Sequence, residues 1–288
     1  MRLDGRRESR NVRDIRGKGG KAAGLGLGLG GLVIVGIITW LLGGNPLDVV
    51  RQAGGLEAIT GSQQTEYVPT AEEEALAKFS KQILAGTEDV WTAEFRRMGL
   101  EYEPPTLVLF TGNVQSACGG ATSSTGPFYC SADRSVYIDL SFFSSMKQQF
   151  GSAGDFAYAY VIAHEVGHHV QNLLGTLRQA HTAMNQVSQA EANKISVRLE
   201  LQADFYAGLW AHHDNEMFDS LEEGDLEEGL EIASRIGDDY LQKQARGYAV
   251  PETFNHGTSA QRSRWLKKGF TTGDIKKGDT FSPRYSSL

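Results

Sequence analysis

The sequence predicts a mostly helical α+β domain with a small antiparallel sheet, preceded by one transmembrane helix. Three observations predict it. Residues 22–43 form an uncharged stretch of 22 residues. Helical apolar spacing runs through about 71–98, 156–174 and 179–213. Two short strand-like runs, 106–110 and 135–140, flank a loop bracketed by the two cysteines of the chain.

At 288 residues there is room for one large domain or two small ones, and 40% apolar with 22% charged residues is an ordinary globular composition. The net charge of −7 is unevenly placed. Residues 1–21 carry eight basic residues against three acids, +5, which leaves −12 for the remainder. A basic arm on an acidic body argues against nucleic acid as a partner, because phosphate binding needs a basic surface on the folded part. It fits a membrane orientation signal.

The stretch AAGLGLGLGGLVIVGIITWLLG at 22–43 matches the roughly 20 residues needed to cross a hydrocarbon core. Trp40 stands near one end, as interfacial aromatics do. With the basic flank N-terminal, 1–21 is expected as a cytoplasmic arm and 22–43 as a single-pass anchor in a bacterial inner membrane. A linker at 44–69 and a periplasmic or extracellular domain at 70–288 would follow. A cleaved signal peptide fits less well: the apolar run exceeds 7–15 residues and no A-x-A-like site follows. Cys118 and Cys130 bracket a Gly/Ser/Thr-rich loop, where a disulfide would restrain the chain.

Thr70 is placed to cap a helix with acids in its first turn, and Gly86 offers a point at which that helix could divide in two. The strand at 135–140 precedes the next helix, and its edge could pair with an extended peptide. Residues 214–239 are strongly acidic without calcium-loop spacing, and read as a solvated helical surface.

The chemistry concentrates at His164-Glu-Val-Gly-His168. Two imidazoles four apart on a helix share a face and can reach one metal ion, while Glu165 can meet a metal-bound water. The preceding FAYAYVIA is almost wholly apolar, so the helix is expected to be buried. Buried His and Glu without partners would be costly, which favours a bound metal. On the following helix Glu200 and Asp204 share a face with Ala203, Ala207 and Ala211. Small residues let helices approach closely, so Glu200 is assigned as third ligand and Asp204 as the acceptor orienting a ligand histidine. His169, His181, His212 and His213 lack ligand spacing and read as structural. His256 lies in a loop before a short helix capped by Thr258 or Ser259, with Arg262 facing inward or pairing with an acid.

Together the basic arm, the apolar span, Gly126-Pro-Phe-Tyr-Cys130, Val136-Tyr-Ile-Asp-Leu-Ser-Phe142, His164-Glu-Val-Gly-His-His-Val-Gln171 and Glu200-Leu-Gln-Ala-Asp204 resemble the neutral zinc metallopeptidase family of bacterial membrane-anchored proteins. More distantly the chain is similar to gluzincins. The resemblance implies a zincin-like domain, a zinc cofactor, a peptide or protein substrate, and His256 with Arg262 at the site. Gly257 stands where those relatives usually have Pro. The expected reaction is metal-assisted peptide hydrolysis with zinc held by His164, His168 and Glu200. Glu165 would be general base and His256 a donor to the oxyanion. The rival expectation is a non-catalytic, membrane-tethered zinc scaffold on the same fold.

Overall fold

In the computed structural model, residues 1–17, 67–150 and 154–288 are described. The expected anchor at 22–43 and most of the linker lie outside them. Among the described residues no helix is long and apolar enough to cross a membrane.

The sheet is built from β1 (Val12–Asp14), β2 (Thr106–Phe110), β5 (Phe128–Cys130) and β6 (Ser135–Asp139), in the order β1-β2-β6-β5. β1 and β6 both run parallel to β2, and only β5 is antiparallel, to β6. The expectation of an antiparallel sheet is therefore corrected. The two predicted strands are neighbours, but Arg134 leads the chain into β6 in the same direction as β2, with Thr106 opposite Ser135. A separate hairpin, β3 (Asn113–Ser116) and β4 (Gly119–Thr122), fills the connection.

Both faces of β2 are covered, which is why it is apolar at every position from Leu107 to Phe110. Leu107 and Leu109 join the main core with helix residues, while Val108 and Phe110 pack in a smaller cluster with Val114, Ala121, Phe128 and Tyr137. The Cys118–Cys130 disulfide, Cα–Cα 5.8 Å, ties the hairpin to β5 over that second face. β6 lies inside the sheet, so it cannot offer the edge to a peptide; the edge strand on that side is β5.

Helices make up the rest: α1 (Ala71–Arg97), α2 (Ser141–Phe150), α3 (Asp155–Leu173), α4 (Thr176–Met184), α5 (Gln189–Phe218), α6 (Asp225–Arg235), α7 (Asp238–Arg246) and α8 (Ser259–Thr272). Thr70 caps α1 in a reciprocal box with Glu73. α1 runs unbroken through Gly86, which is buried beside the Asp214 carboxylate and leaves it room. The stretch expected as one helix over 179–213 is two. α4 ends at Met184, and Ser188 caps α5 by accepting from Glu191. Thr258 caps α8 with Gln261, as expected. α8 lies directly on α5: a Cβ on Gly208 would stand 2.1 Å from the Leu266 carbonyl, and one on Gly269 2.0 Å from that of Phe205. Two facing glycines let the backbones touch, and this seats Arg262 over α5.

Residues 1–17 are part of this domain. Expected as a separate arm, they supply β1 and a set of cations to carboxylates of the helices. Arg6 makes two 2.8 Å hydrogen bonds to Asp214, whose side chain is 1% exposed. Buried Glu88 accepts from Arg7, Ser9 and Asn11. Free charge by sequence, these arginines are structural once paired with the acids. Asp214 and Asp238 are likewise buried, so the acidic stretch is not wholly a solvated face.

His169 joins sheet to helix. Its Nδ1 lies 3.0 Å from the Tyr129 hydroxyl and its Nε2 2.7 Å from the Glu103 carbonyl. Burial outweighs the Glu103 carbonyl and holds the ring down to about 4. Between pH 6.5 and 4 the unfolded chain binds a proton that the folded chain does not. Stability therefore rises with pH through that window and is lost as pH falls, by up to about 3 kcal/mol. Urea midpoints between pH 7 and 4 should fall more steeply for the wild type than for His169→Asn; parallel slopes would rule out this role.

Candidate metal centre

α3 begins after Gly154 and carries no Pro or Gly until Gly167. Its buried turns bring His164 and His168 one above the other, ring centroids 4.8 Å apart. Gly167 is where α5 comes closest: a Cβ there would lie 3.0 Å from the Ala203 carbonyl oxygen and 3.4 Å from the Ala203 Cβ. The small-residue face expected on α5 does bring a short carboxylate to its neighbour. Glu200 Oε2 lies 3.2 Å from His164 Nε2, and Oε1 3.4 Å from His168 Nε2. His164, His168 and Glu200 thus offer ligand atoms within 4.8 Å of one another.

The far nitrogen of each ring is held. Asp204 Oδ1 lies 2.9 Å from His164 Nδ1, and Gln171 Oε1 lies 2.9 Å from His168 Nδ1. Both acceptors hold a proton on Nδ1, so Nε2 is the ring atom that faces Glu200, and a bound metal would displace the proton it carries there. Gln171 is itself fixed, since its amide donates to the Leu199 carbonyl at 2.7 Å and to Gln202 at 3.1 Å. Asp204 is the hub. Arg262 donates to it twice, Nε to Oδ2 and Nη2 to Oδ1, each at 2.9 Å, and the Tyr160 hydroxyl donates to Oδ1 at 2.6 Å. Arg262 faces inward and pairs with an acid, as expected.

Electrostatics follow from this crowding. Burial alone would raise Asp204, but Arg262 and His164 bring it down to about 2. Burial lowers His164, yet the Asp204 charge and hydrogen bond, with Glu200, push it up to about 10. Glu200 is buried too, and His168 and His164 hold it well below the usual carboxylate range. Glu165 is raised, burial outweighing the two histidines beside it. Once the two rings give up that proton, their Nε2 atoms and the Glu200 carboxylate form a donor set suited to a divalent cation.

His256 is buried in the loop before α8. Asp238 grips that loop, accepting from the backbone N–H groups of Asn255, His256 and Gly257 at 2.7–3.0 Å. Its other oxygen lies 3.3 Å from His256 Nδ1. Gly257 sits at φ +98, which proline cannot adopt, so the loop is built differently from one carrying Pro there.

Tyr160 and Gln171 were not assigned from the sequence, although their spacing could have found them. Tyr160 precedes His164 by one turn and Gln171 follows His168 by three residues on the same helix. A second group, His212, His213 and Glu216, also brings ligand atoms within 4.8 Å at the end of α5. There His212 Nδ1 meets the Phe270 carbonyl at 2.7 Å and His213 Nε2 that of Gly273 at 2.9 Å. These contacts tie α5 to the end of α8, the structural role expected of both residues.

Two imidazoles and a carboxylate from neighbouring helices, with a glutamate beside the first histidine, define the class of the zinc metallopeptidase-like proteins. The chain belongs to the family described as "Putative neutral zinc metallopeptidase", whose pattern matches residues 1–281. It is 47% identical over 287 residues to the Escherichia coli K12 protein described as "Uncharacterized protein YpfJ", covering 98% of this chain and 99% of that one. It is 44% identical over 191 residues to "Uncharacterized protein Rv2575" of Mycobacterium tuberculosis H37Rv, covering 63% and 64% of the two chains. No solved structure matches it.

Gln171→Ala should leave the fold intact and free the His168 ring, weakening metal affinity by about 10- to 100-fold. Competition with a chromogenic chelator measures this; unchanged affinity would remove Gln171 from the site.

Proposed function

We propose that the protein is a zinc-dependent peptidase that hydrolyses peptide bonds at a membrane surface, with 22–43 supplying the attachment. The observation that carries the reading is the convergence of His164 Nε2, His168 Nε2 and Glu200 on one point beside Glu165. The donor chemistry fits zinc: two imidazoles with their far nitrogens engaged, and one carboxylate, as in catalytic sites that keep a position open. Bound zinc would acidify a water toward neutrality and polarise the scissile carbonyl.

The protein's own groups supply the rest. Glu165, raised by burial, is a base closer to neutrality than an exposed carboxylate. It takes the proton from the attacking water and returns it to the leaving amine. Asp204 and Gln171 keep the two rings aimed, so that the ligand set does not reorganise during the reaction. His256, held by Asp238, is the candidate donor to the developing oxyanion. An extended substrate would add to the edge of β5, whose Tyr129 hydroxyl accepts from Asn172 on α3 at 2.9 Å.

Glu165→Gln should lower turnover of a peptide library by about 10²- to 10⁴-fold while zinc content stays at the wild-type level. Full turnover with zinc retained would refute the role of Glu165. A wild type that binds zinc but cleaves nothing would point to the scaffold reading.

A further inference from the structure

Residues 1–17 are held to the domain by contacts that a membrane between them would forbid. β1 pairs with β2, Val12 opposite Leu107 and Asp14 opposite Leu109. The Leu107 N–H donates to the Asn11 carbonyl at 2.8 Å and the Ile15 N–H to that of Leu109 at 2.9 Å. Gln82 on α1 donates to the carbonyls of Leu3 and Arg6. Asp214 and Glu88, both buried, take Arg6, Arg7, Ser9 and Asn11 as partners. Were residues 1–17 on the opposite side, two buried carboxylates would lose these partners, which is strongly unfavourable.

The two flanks of 18–66 also meet in space. A Cβ on Gly17 would stand 2.3 Å from that of Tyr67. Arg16 donates to Glu74 and to the Glu73 carbonyl, while Tyr67 donates to Glu73, so both flanks close on the first turn of α1. A chain that leaves and returns at one point crosses a membrane an even number of times. The sequence supplies one stretch long enough, 22–43, since 44–66 is interrupted by Asp48, Arg51, Glu57 and Glu66. A single crossing by 22–43 is an odd count and would part the two flanks.

We propose that residues 1–17 and the domain from residue 67 lie on the same side of the membrane. This replaces the single crossing expected from the charge asymmetry. That rule reads Lys and Arg near a span as free positive charge, and here Arg6, Arg7 and Arg16 are each paired with carboxylates.

The test uses the full chain in bacterial membranes, with Arg10→Cys and Lys267→Cys made singly; both positions are exposed, and the two native cysteines are bonded to each other. A membrane-impermeant maleimide is applied to right-side-out and inverted vesicles. Both variants should label in the same vesicle orientation. Labelling in opposite orientations overturns the proposal. A separate check addresses the packing itself. Arg6→Ala should lower the urea midpoint of the full chain, and the charge-swapped pair Arg6→Asp with Asp214→Arg should recover part of the loss. No change on Arg6→Ala would also overturn it.

Discussion

The Asp204 carboxylate is the constraint on which the rest depends. It is fully buried, and it accepts from Arg262 on α8 and Tyr160 on α3 while facing His164. A buried carboxylate without partners is among the costliest groups in a fold, and a buried arginine is no cheaper. Their mutual satisfaction requires three helices to be placed within hydrogen-bond precision. The glycines at 208 and 269 make that placement sterically possible, because α5 and α8 must touch before Arg262 can reach Asp204. The ring of His164 is then oriented by the same atom that holds the helices together. Removing Asp204 would test two things at once, which is why Gln171 is the cleaner handle on the metal.

Much of the centre was legible because helical spacing carries it. His164, His168, Glu200 and Asp204 are related by intervals of four, and four residues is one turn. The alanine face was legible for the same reason, although its partner Gly167 is visible only in the packing. The loop holding His256 was hidden, since Asp238 reaches it from 18 residues away and Gly257 takes a positive φ.

The sheet was harder to read. β2 and β6 have strong strand composition, but composition does not state direction. β1 has neither alternation nor an apolar face: it reads Val-Arg-Asp at a half-exposed edge. Its affinity for the sheet lies in backbone hydrogen bonds and in arginine–carboxylate pairs on either side, and neither leaves a periodic trace. The division between α4 and α5 was missed because Asn185 to Ser188 contains no Gly or Pro, and the stop rests on the Ser188 cap.

Glu200 and Asp204 lie on the same helix as Asp214, so the metal centre and the N-terminal segment act on one rod. In the middle of that rod Glu200 and Asp204 are fixed by α3 and α8; nearer its C-terminal end Asp214 is fixed by Arg6 and walled by Gly86. A helix of 30 residues held only at its middle could rotate slightly about its axis. Even a small rotation would carry Glu200 away from the two Nε2 atoms, because a ligand on a cylinder moves with it. The Arg6–Asp214 pair opposes that rotation from a second point along the axis. The segment expected to be a free arm therefore contributes to the geometry of the ligand set, at a distance and through a rigid element.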